Sequence, residues 1–252
     1  NGGKIASMLK ALLKTMRPRQ WTKNIFVFAA LVFDKQLFLT VPFLRTLAGF
    51  ALFCLISSAV YIVNDLADVE ADRQHPEKKN RPIASGRLPA GAAWGAAGLF
   101  VVIALTLGWM LAPAFAGVLA ASLFITLLYS KWLKHVAIVD VLIIAAGFVL
   151  RVAAGVTLIH VERFSPWLYV VMTLLALFLG FGKRRAELSL LSQDAGSHRK
   201  VLDGYTLPLL DQYILIVSST TVVAYSLYTF SAPNLPANHA MMLTIPFVVY
   251  MI

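Results

Sequence analysis

The sequence has 252 residues, of which 59% are hydrophobic and only 13% are charged, and its mean hydropathy is +0.76. Soluble domains are far less apolar, so this composition excludes a soluble globular protein and indicates one that crosses a membrane several times. The formal net charge of +10 would suggest nucleic-acid binding in a soluble protein. In a polytopic membrane protein, the positions of the positive charges predict the orientation of the protein in the membrane instead, so we expect no nucleic-acid partner.

Eight apolar stretches follow one another along the chain, each near or somewhat below the length that a spanning helix needs. We predict spans at 24–33, 41–63, 90–111, 113–130, 136–159, 164–181, 207–230 and 240–252. The sequence begins without Met and ends inside the last stretch, so we expect both ends to be trimmed and a further helix to lie outside it. The predicted fold is an all-α, polytopic membrane bundle that forms a single domain over residues 1–252.

The basic residues are distributed unequally between the two sides of this predicted bundle. Eighteen of the 22 lysines and arginines precede the first span or lie in even-numbered loops, whereas the odd-numbered loops hold only Lys35, Arg45 and Arg163. Arg151 lies within a span. The positive-inside rule then places the N-terminus and the even-numbered loops in the cytoplasm, so we expect a multi-pass protein of a bacterial inner membrane.

Residues 1–20 predict an amphipathic helix, with apolar residues such as Ile5, Leu9 and Leu13 on one side and lysines on the other. Such a helix either lies on an anionic leaflet or serves as a basic topology anchor. The run from Arg17 to Asn24 follows, and Lys23 enters the first span from the same side. Lys23 is therefore a candidate phosphate ligand.

The second predicted span ends in a run of acidic residues. If that run continues the helix, its amide and three carboxylates fall within an arc of about 100° on one face. Carboxylates this close repel each other unless a divalent cation lies among them, and Mg²⁺ takes a few carboxylates together with substrate phosphates. The predicted metal ligands are Asn64, Asp65, Asp68 and Asp72. The chain therefore has the pattern of a protein that binds a diphosphate.

The hydrophilic segment 64–89 continues past these acids with basic residues, so metal and phosphate ligands can come from one cytoplasmic segment. Its candidate substrate ligands are Arg73, Lys78 and Arg81. We predict that this segment carries the chemistry.

The fifth predicted span contains Asp140 and Arg151, which are eleven residues, or three helical turns, apart and so share a face. An arginine in a membrane faces the interior of the bundle and pairs with an anion. That anion is either a substrate group or a carboxylate fixed on another helix. Gly147 and Gly155 on the same face predict close helix packing.

Lys183, Arg184 and Arg185 follow the sixth predicted span. The preceding Gly-x-Gly resembles part of a phosphate loop, but the first glycine and the final Ser or Thr are missing, so we reject a nucleotide-binding loop. The three cations are either topology charges or a phosphate clamp, and Glu187 is spaced to pair with Lys183.

Several segments, taken in order, resemble the UbiA superfamily of intramembrane prenyltransferases. The acidic run resembles the first aspartate motif of that superfamily. The segments 17–24, 59–65, 68–73, 81–84, 150–155 and 182–188 together look like a branch that transfers phosphoribosyl groups to polyprenyl phosphates such as decaprenyl phosphate. The resemblance implies nine helices around a cavity that opens to the cytoplasm and laterally to lipid, with one helix absent here.

The resemblance also implies a reaction, namely Mg²⁺-dependent transfer of 5-phosphoribosyl from phosphoribosyl diphosphate to a polyprenyl phosphate in cell-wall arabinan precursor synthesis. It implies catalytic roles for Asp65, Asp68 and Asp72. The second acidic motif of the superfamily corresponds here to Asp140 alone, which then binds a second metal, orients Arg151 or contacts the ribose. The candidate substrate ligands are Lys23, Asn64, Arg73, Lys78, Arg81, Tyr129, Lys134, Arg151, Lys183, Arg184 and Arg185.

Three other hypotheses use the same residues. A prenyltransferase with a lipid diphosphate donor and an aromatic acceptor would need fewer basic groups, so the cluster 183–185 favours phosphoribosyl transfer. A transporter would use the acids as a cation site, but no acidic relay leads to the outer face. A merely solvated loop would leave unexplained why the acids share a face. Nothing in the sequence excludes an oligomer.

Overall fold

The computed structural model describes residues 2–161, 166–191, 200–232, 235 and 238–252, and these residues form helices and no strand. The α-helices within them are α1 (Gly2–Thr15), α2 (Ala29–Phe33), α3 (Thr40–Ala67), α4 (Val69–Gln74), α5 (Ala90–Leu111), α6 (Pro113–Lys131), α7 (Val139–Leu158), α8 (Pro166–Leu191), α9 (Leu207–Ser231) and α10 (Ile245–Met251). The 3-10 helices are Pro18–Phe28, Lys78–Asn80, Leu133–His135, Lys200–Gly204 and Ala240–Thr244.

Five of the described helices, α3, α5, α6, α7 and α9, are long and apolar enough to cross a membrane. The predicted all-α membrane bundle is therefore confirmed, while the number of eight spans stays a prediction. The first predicted span, 24–33, is not one continuous helix, because it is divided between the 3-10 helix Pro18–Phe28 and the short α2. The last, 240–252, changes from 3-10 to α geometry at Thr244 and Ile245.

Helix α3 is the centre of the bundle, since it packs against α5, α6, α7 and the 3-10 helix Pro18–Phe28. Helix α7 packs in turn against α6 and α8, and α8 against α9. Phe53 of α3, Phe115 of α6 and Leu158 of α7 meet in one buried cluster. Because α3 contacts so many elements, residues near its C-terminal end face several of them at once.

The 3-10 helix Pro18–Phe28 approaches α7 at Gly155. A Cβ atom at this position would lie 2.0 Å from the carbonyl oxygen of Val27, so only glycine permits the approach. The predicted close packing at Gly155 is confirmed. The same prediction for Gly147 was wrong, because the nearest atom to a Cβ there is Nη1 of Arg151, at 3.2 Å, and not a neighbouring helix.

Arg45 ties three helices together near the start of α3. Its Nε donates to the carbonyl oxygen of Leu158 at 2.8 Å, and its Nη2 donates to that of Leu111 at 2.6 Å. These carbonyls belong to the last turns of α7 and α5, where a helix has no further amide to bond them. The acidic run lies at the other end of α3.

Helix α1 ends at Thr15, short of the predicted residue 20, because the chain enters a left-handed conformation at Arg17 (φ 54°). Ala11 is buried against the core, while Ile5, Leu9 and Leu13 remain exposed on another side. Binding of this exposed side to an anionic leaflet stays a prediction.

Candidate active site

Two adjoining cavities lie in the bundle, an inner one between α3, α6 and α7, and an outer one between α3, the C-terminal end of α6 and residues 78–81. Asn64, Tyr129 and Ser130 line both, so the cavities meet at these residues. The inner cavity, of about 230 Å³, is also lined by Lys23 and Arg151. The outer cavity has a volume of about 570 Å³. The charged residues in its wall are Arg17, Asp65, Asp68, Lys78, Arg81, Lys131 and Lys134. The outer cavity is thus a mouth of mixed charge, and it is joined to a cationic inner cavity.

The acidic run lies at the junction of two helices. Asp65 is in the last turns of α3, and Asp68 separates α3 from α4 with φ −94° and ψ 8°, away from regular α geometry. Asp65 and Asp68 line the outer cavity with Asn64, whereas Asp72, within α4, does not. The single helical face predicted for these residues is therefore interrupted.

Arginines bind two of these carboxylates. Nη2 of Arg17 lies 2.5 Å from Oδ1 of Asp65, and Nη1 of Arg81 lies 3.1 Å from that oxygen and 2.7 Å from Oδ2 of Asp72. Both aspartates are only 3% exposed, and a buried carboxylate is tolerated when it is paired and hydrogen-bonded. Two positive and two negative charges thus balance within this network.

The structure does not gather the four predicted metal ligands into one closed site. Among the described residues, no three His, Cys, Asp or Glu side chains are close enough together to hold a metal ion. Asn64, Asp65 and Asp68 nevertheless present hard oxygen atoms to one cavity. Mg²⁺ is commonly held by one or two carboxylates plus substrate phosphates, so this donor set fits Mg²⁺ in company with a phosphate ligand.

Arg151 occupies the wall of the inner cavity. Its Nε donates to Oδ1 of Asn24 at 2.9 Å, and its Nη1 donates to the carbonyl oxygen of Gly147 at 2.6 Å. No carboxylate pairs with it in the part of the chain that the structure describes. The hypothesis of a fixed carboxylate partner on another helix therefore has no support within the described ranges.

Lys23 lines the same cavity, and among the described residues it forms no ion pair either. Desolvation in the cavity wall lowers the pKa of its ammonium group, and the positive charges of Arg151 and Lys183 lower it further. An anion bound in the inner cavity would oppose this shift, because it would stabilise the charged form of Lys23.

Asn24 supports Arg151 from the 3-10 helix Pro18–Phe28. It is completely buried, and its Nδ2 donates to Sγ of Cys54 and Oγ of Ser57, each at 3.3 Å. Asn24 ends the sequence run from Arg17 to Asn24, but nothing in the sequence predicts a function for it. Its only sequence signal is an amide at the start of an apolar stretch, since its partner Arg151 lies 127 positions away.

Asp140 and Arg184 are in a separate buried network, and neither lines the two cavities. Oδ2 of Asp140 accepts from Nε of Arg184 at 2.7 Å, and Oδ1 accepts from the hydroxyl of Tyr205 at 2.6 Å. The same hydroxyl accepts from the backbone amide of Ile138, which has a φ of 70°. Burial, together with the bond to Asp140, raises the pKa of Tyr205. The structure shows no contact between Asp140 and Arg151.

Three other predicted ligands also have internal partners and lie outside both cavities. Lys183 is 3.9 Å from Glu187, the pairing that its spacing predicted, while Arg185 binds Asp211 at 2.5 Å. Arg73 binds Glu70 at 2.7 Å on the surface. Of the predicted basic ligands, those that the structure does bring to the cavities are Lys23, Lys78, Arg81, Lys134 and Arg151.

The structure adds cavity residues that sequence reasoning missed. Arg17 and Lys131 line the outer cavity, and Tyr61 lines the inner one. The guanidinium of Arg17 lies 4.9 Å from the centre of the Tyr61 ring. The positive charge of Arg17 and Lys131 alone could not identify them as cavity residues, because comparable lysines and arginines elsewhere face solvent.

Comparisons with known proteins agree with this arrangement. The model of the UbiA prenyltransferase family matches residues 24–251. The decaprenyl-phosphate phosphoribosyltransferase of Mycolicibacterium smegmatis is 38% identical over 230 residues, which span 89% of this chain and 72% of that protein. The protein of the same name from Mycobacterium tuberculosis is 35% identical over 249 residues, which span 97% of this chain and 82% of that protein.

The fold also matches a solved structure. A UbiA homologue from Archaeoglobus fulgidus, solved with DMAPP and Mg²⁺ bound, has a TM-score of 0.72 over 95% of this chain and 83% of its own. Its sequence identity of 18% makes this a likeness of fold.

Proposed function

Because the chain belongs to the UbiA prenyltransferase family and is a transferase of that superfamily, we propose that it transfers a 5-phosphoribosyl group from phosphoribosyl diphosphate to a polyprenyl phosphate. Diphosphate is released, and Mg²⁺ is the metal. The observation that carries the proposal is the joined pair of cavities, with carboxylates at the mouth and, inside, two cations that have no carboxylate partner among the described residues. The names of the relatives support decaprenyl phosphate as the acceptor.

The division of the cations into two groups favours this donor. Lys23 and Arg151 lie in the inner cavity, whereas Lys78, Arg81 and Lys134 lie around the outer one. Phosphoribosyl diphosphate carries a diphosphate and, across the ribose, a separate phosphate monoester, while a prenyl diphosphate carries only one anionic end. Two cationic groups joined by a passage fit the donor with two anionic ends.

We place the diphosphate in the outer cavity and the 5-phosphate in the inner cavity. Asn64, Asp65 and Asp68 would hold Mg²⁺, because they supply the carboxylate and amide oxygens in the wall of the outer cavity. When bound, the metal supplies charge neutralisation to the departing diphosphate. Lys78 and Lys134 add positive charge to the same end of the donor.

The chemical step exchanges one C–O bond for another. An oxygen of the acceptor phosphate attacks C1 of the ribose, the C1–O bond to the diphosphate breaks, and the diphosphate leaves with the electron pair. The acceptor oxygen is already anionic, so no general base is required. The cations that hold both ends of the donor orient C1, so that the attacking oxygen, C1 and the departing diphosphate oxygen stay in line.

We also propose an orientation and a setting. The positive-inside rule places the mouth, which bears the basic segments, on the cytoplasmic side of a bacterial inner membrane. Phosphoribosyl diphosphate is a soluble anion and would enter from that side, while the polyprenyl chain stays in lipid. The product would serve cell-wall arabinan precursor synthesis, as the resemblance implies.

The test is transfer of label from phosphoribosyl diphosphate to decaprenyl phosphate by the purified protein, with and without Mg²⁺. We expect labelled lipid that depends on Mg²⁺. Absence of that product, together with product from a prenyl diphosphate and an aromatic acceptor, would move the chain to the prenyltransferase branch. Labelled lipid formed equally well in a chelator would contradict the role of the metal.

A further inference from the structure

The charge of Arg151 is held in place without being cancelled. Its hydrogen-bond acceptors are an amide oxygen, on Asn24, and a backbone carbonyl, on Gly147. The rings of Phe53 and Phe148 flank the guanidinium, with centroids 5.4 and 5.7 Å from its central carbon. Aromatic faces favour a cation but do not neutralise it.

Asn24 is oriented for this contact. Its Nδ2 is directed at Cys54 and Ser57, which leaves Oδ1 to accept from Arg151. An aspartate has nearly the same shape, and the thiol and hydroxyl could donate to its second oxygen. A carboxylate beside a buried guanidinium would also form a charge-assisted pair, which is stronger than a neutral hydrogen bond. Stability alone would therefore favour aspartate at this position.

A role in binding an anion therefore best explains why position 24 carries a neutral amide and not a carboxylate. A carboxylate at position 24 would compete with any anion that enters the inner cavity, whereas an amide orients the guanidinium and leaves its charge available. We propose that Asn24 is a positioning residue that keeps Arg151 oriented and uncompensated, so that the phosphate monoester of the donor supplies its counter-ion. This inference rests on the proposed function, and it names the group that the inner cavity recognises.

The main test is Asn24→Asp, with ribose 5-phosphate as the probe. This ligand carries the phosphate monoester and no diphosphate, so its binding to the purified protein is measured by calorimetry without Mg²⁺ or turnover. We expect the dissociation constant to rise roughly 30-fold or more, because the added carboxylate cancels the charge that binds phosphate. The thermal unfolding midpoint of the ligand-free variant should be equal to that of the unmodified protein or higher.

The matched control is Asn238→Asp, which adds the same charge in the loop before α10. The Asn238 side chain accepts from the backbone amide of Ala240 and lines neither cavity, so binding should be unchanged. Unaltered ribose 5-phosphate binding in Asn24→Asp, or an equal loss in both variants, would overturn the inference.

A double-mutant cycle keeps the inference testable if Asn24→Asp fails to fold. It uses Asn24→Ser, Arg151→Gln and the double variant. Because Asn24 acts through Arg151, the double variant should bind ribose 5-phosphate no more weakly than Arg151→Gln alone, while losses that multiply would contradict the inference. These binding results are separate from the transfer assay, so a chain with a different reaction could still show the coupling, and an active transferase could lack it.

Discussion

Asp68 differs from Asp65 and Asp72 in being exposed and in forming no ion pair with any described residue. It lines the outer cavity, whereas Asp65 and Asp72 are buried against arginines. Its carboxylate is therefore available to a ligand and contributes little to packing.

We predict that Asp68→Asn lowers phosphoribosyl transfer by roughly 100-fold or more, because an amide is a poor ligand for Mg²⁺. The thermal unfolding midpoint should stay unchanged. The control is Glu70→Gln, which removes a carboxylate two positions away that binds Arg73 on the surface and lines neither cavity. Near-normal transfer by Asp68→Asn would refute its role at the metal.

Lys23 gives the site a predicted pH dependence. Desolvation and the charges of Arg151 and Lys183 lower its pKa below the ordinary 10.5. Affinity for ribose 5-phosphate should therefore fall as pH rises through this lowered pKa, at lower pH than for an exposed lysine. The phosphate stays dianionic throughout, because its second pKa is near 6. Lys23→Arg should flatten this profile over the pH range in which the unmodified protein loses affinity, as measured by calorimetry, and a flat profile for the unmodified protein would contradict the prediction.

The lowered pKa of Lys23 has the opposite effect on the stability of the ligand-free protein, which rises with pH where the affinity for phosphate falls. A base with a lowered folded pKa binds fewer protons when folded, so its destabilising effect is greatest at low pH. That effect disappears as pH rises from the folded pKa to the ordinary value. Bound phosphate opposes the shift by stabilising the charged form of Lys23.

Sequence reasoning found the charged residues of the site more readily than their partners. Asp65, Asp68 and Arg151 stand out because charges at the ends or in the middle of apolar stretches are costly. One of the two arginines that bind Asp65 is 48 positions away in the sequence, and the amide that binds Arg151 is 127 positions away. These pairings depend on which helices meet, and no local pattern encodes that.

At the scale of elements, the contact between α7 and the 3-10 helix Pro18–Phe28 positions both Lys23 and Asn24. We predict that Gly155→Ala destabilises the protein by about 1–3 kcal/mol, because its Cβ would overlap the carbonyl oxygen of Val27 and force the two elements apart. The measurement is unfolding in detergent. Gly117→Ala on α6 is the matched control, since no atom lies within 4 Å of a Cβ there and alanine favours the helix.

The Tyr205 hydroxyl joins the segment after α8 to the start of α7. We predict that Tyr205→Phe costs about 1–3 kcal/mol of stability, because it removes a donor from buried Asp140 and an acceptor from the amide of Ile138. Hydrogen exchange should quicken over residues 133–142, which include the cavity residue Lys134. Tyr213→Phe is the control, since the Tyr213 ring stacks on Phe181 at 4.8 Å and its hydroxyl bonds no described residue. Equal stability of the two variants would contradict the prediction.

Apolar length predicted the long helices of the bundle well, because α3, α5, α6 and α7 fall almost where hydropathy places them. It failed at 24–33, where the chain is apolar but is divided between two short helices. Hydropathy measures transfer to lipid and is insensitive to helix type. The buried amide of Asn24 and the close approach at Gly155 depend on tertiary contacts that composition does not contain.

At the scale of the whole molecule, the network of buried carboxylates and arginines beside the mouth is already balanced in charge without a metal. Arg17 and Arg81 balance Asp65 and Asp72, so no net charge is left among these four groups. We predict that a chelator stops phosphoribosyl transfer and leaves the thermal unfolding midpoint unchanged, as measured on one preparation before and after metal is restored. A large fall in the midpoint on chelation would show that the fold needs the metal.

The balance between these arginines and aspartates also bears on biogenesis. Because guanidinium groups of the same chain are the counter-ions of Asp65 and Asp72, we expect a newly made chain to insert into the membrane and fold around these carboxylates before any metal binds. The donor and its metal would then arrive at a mouth that is already folded.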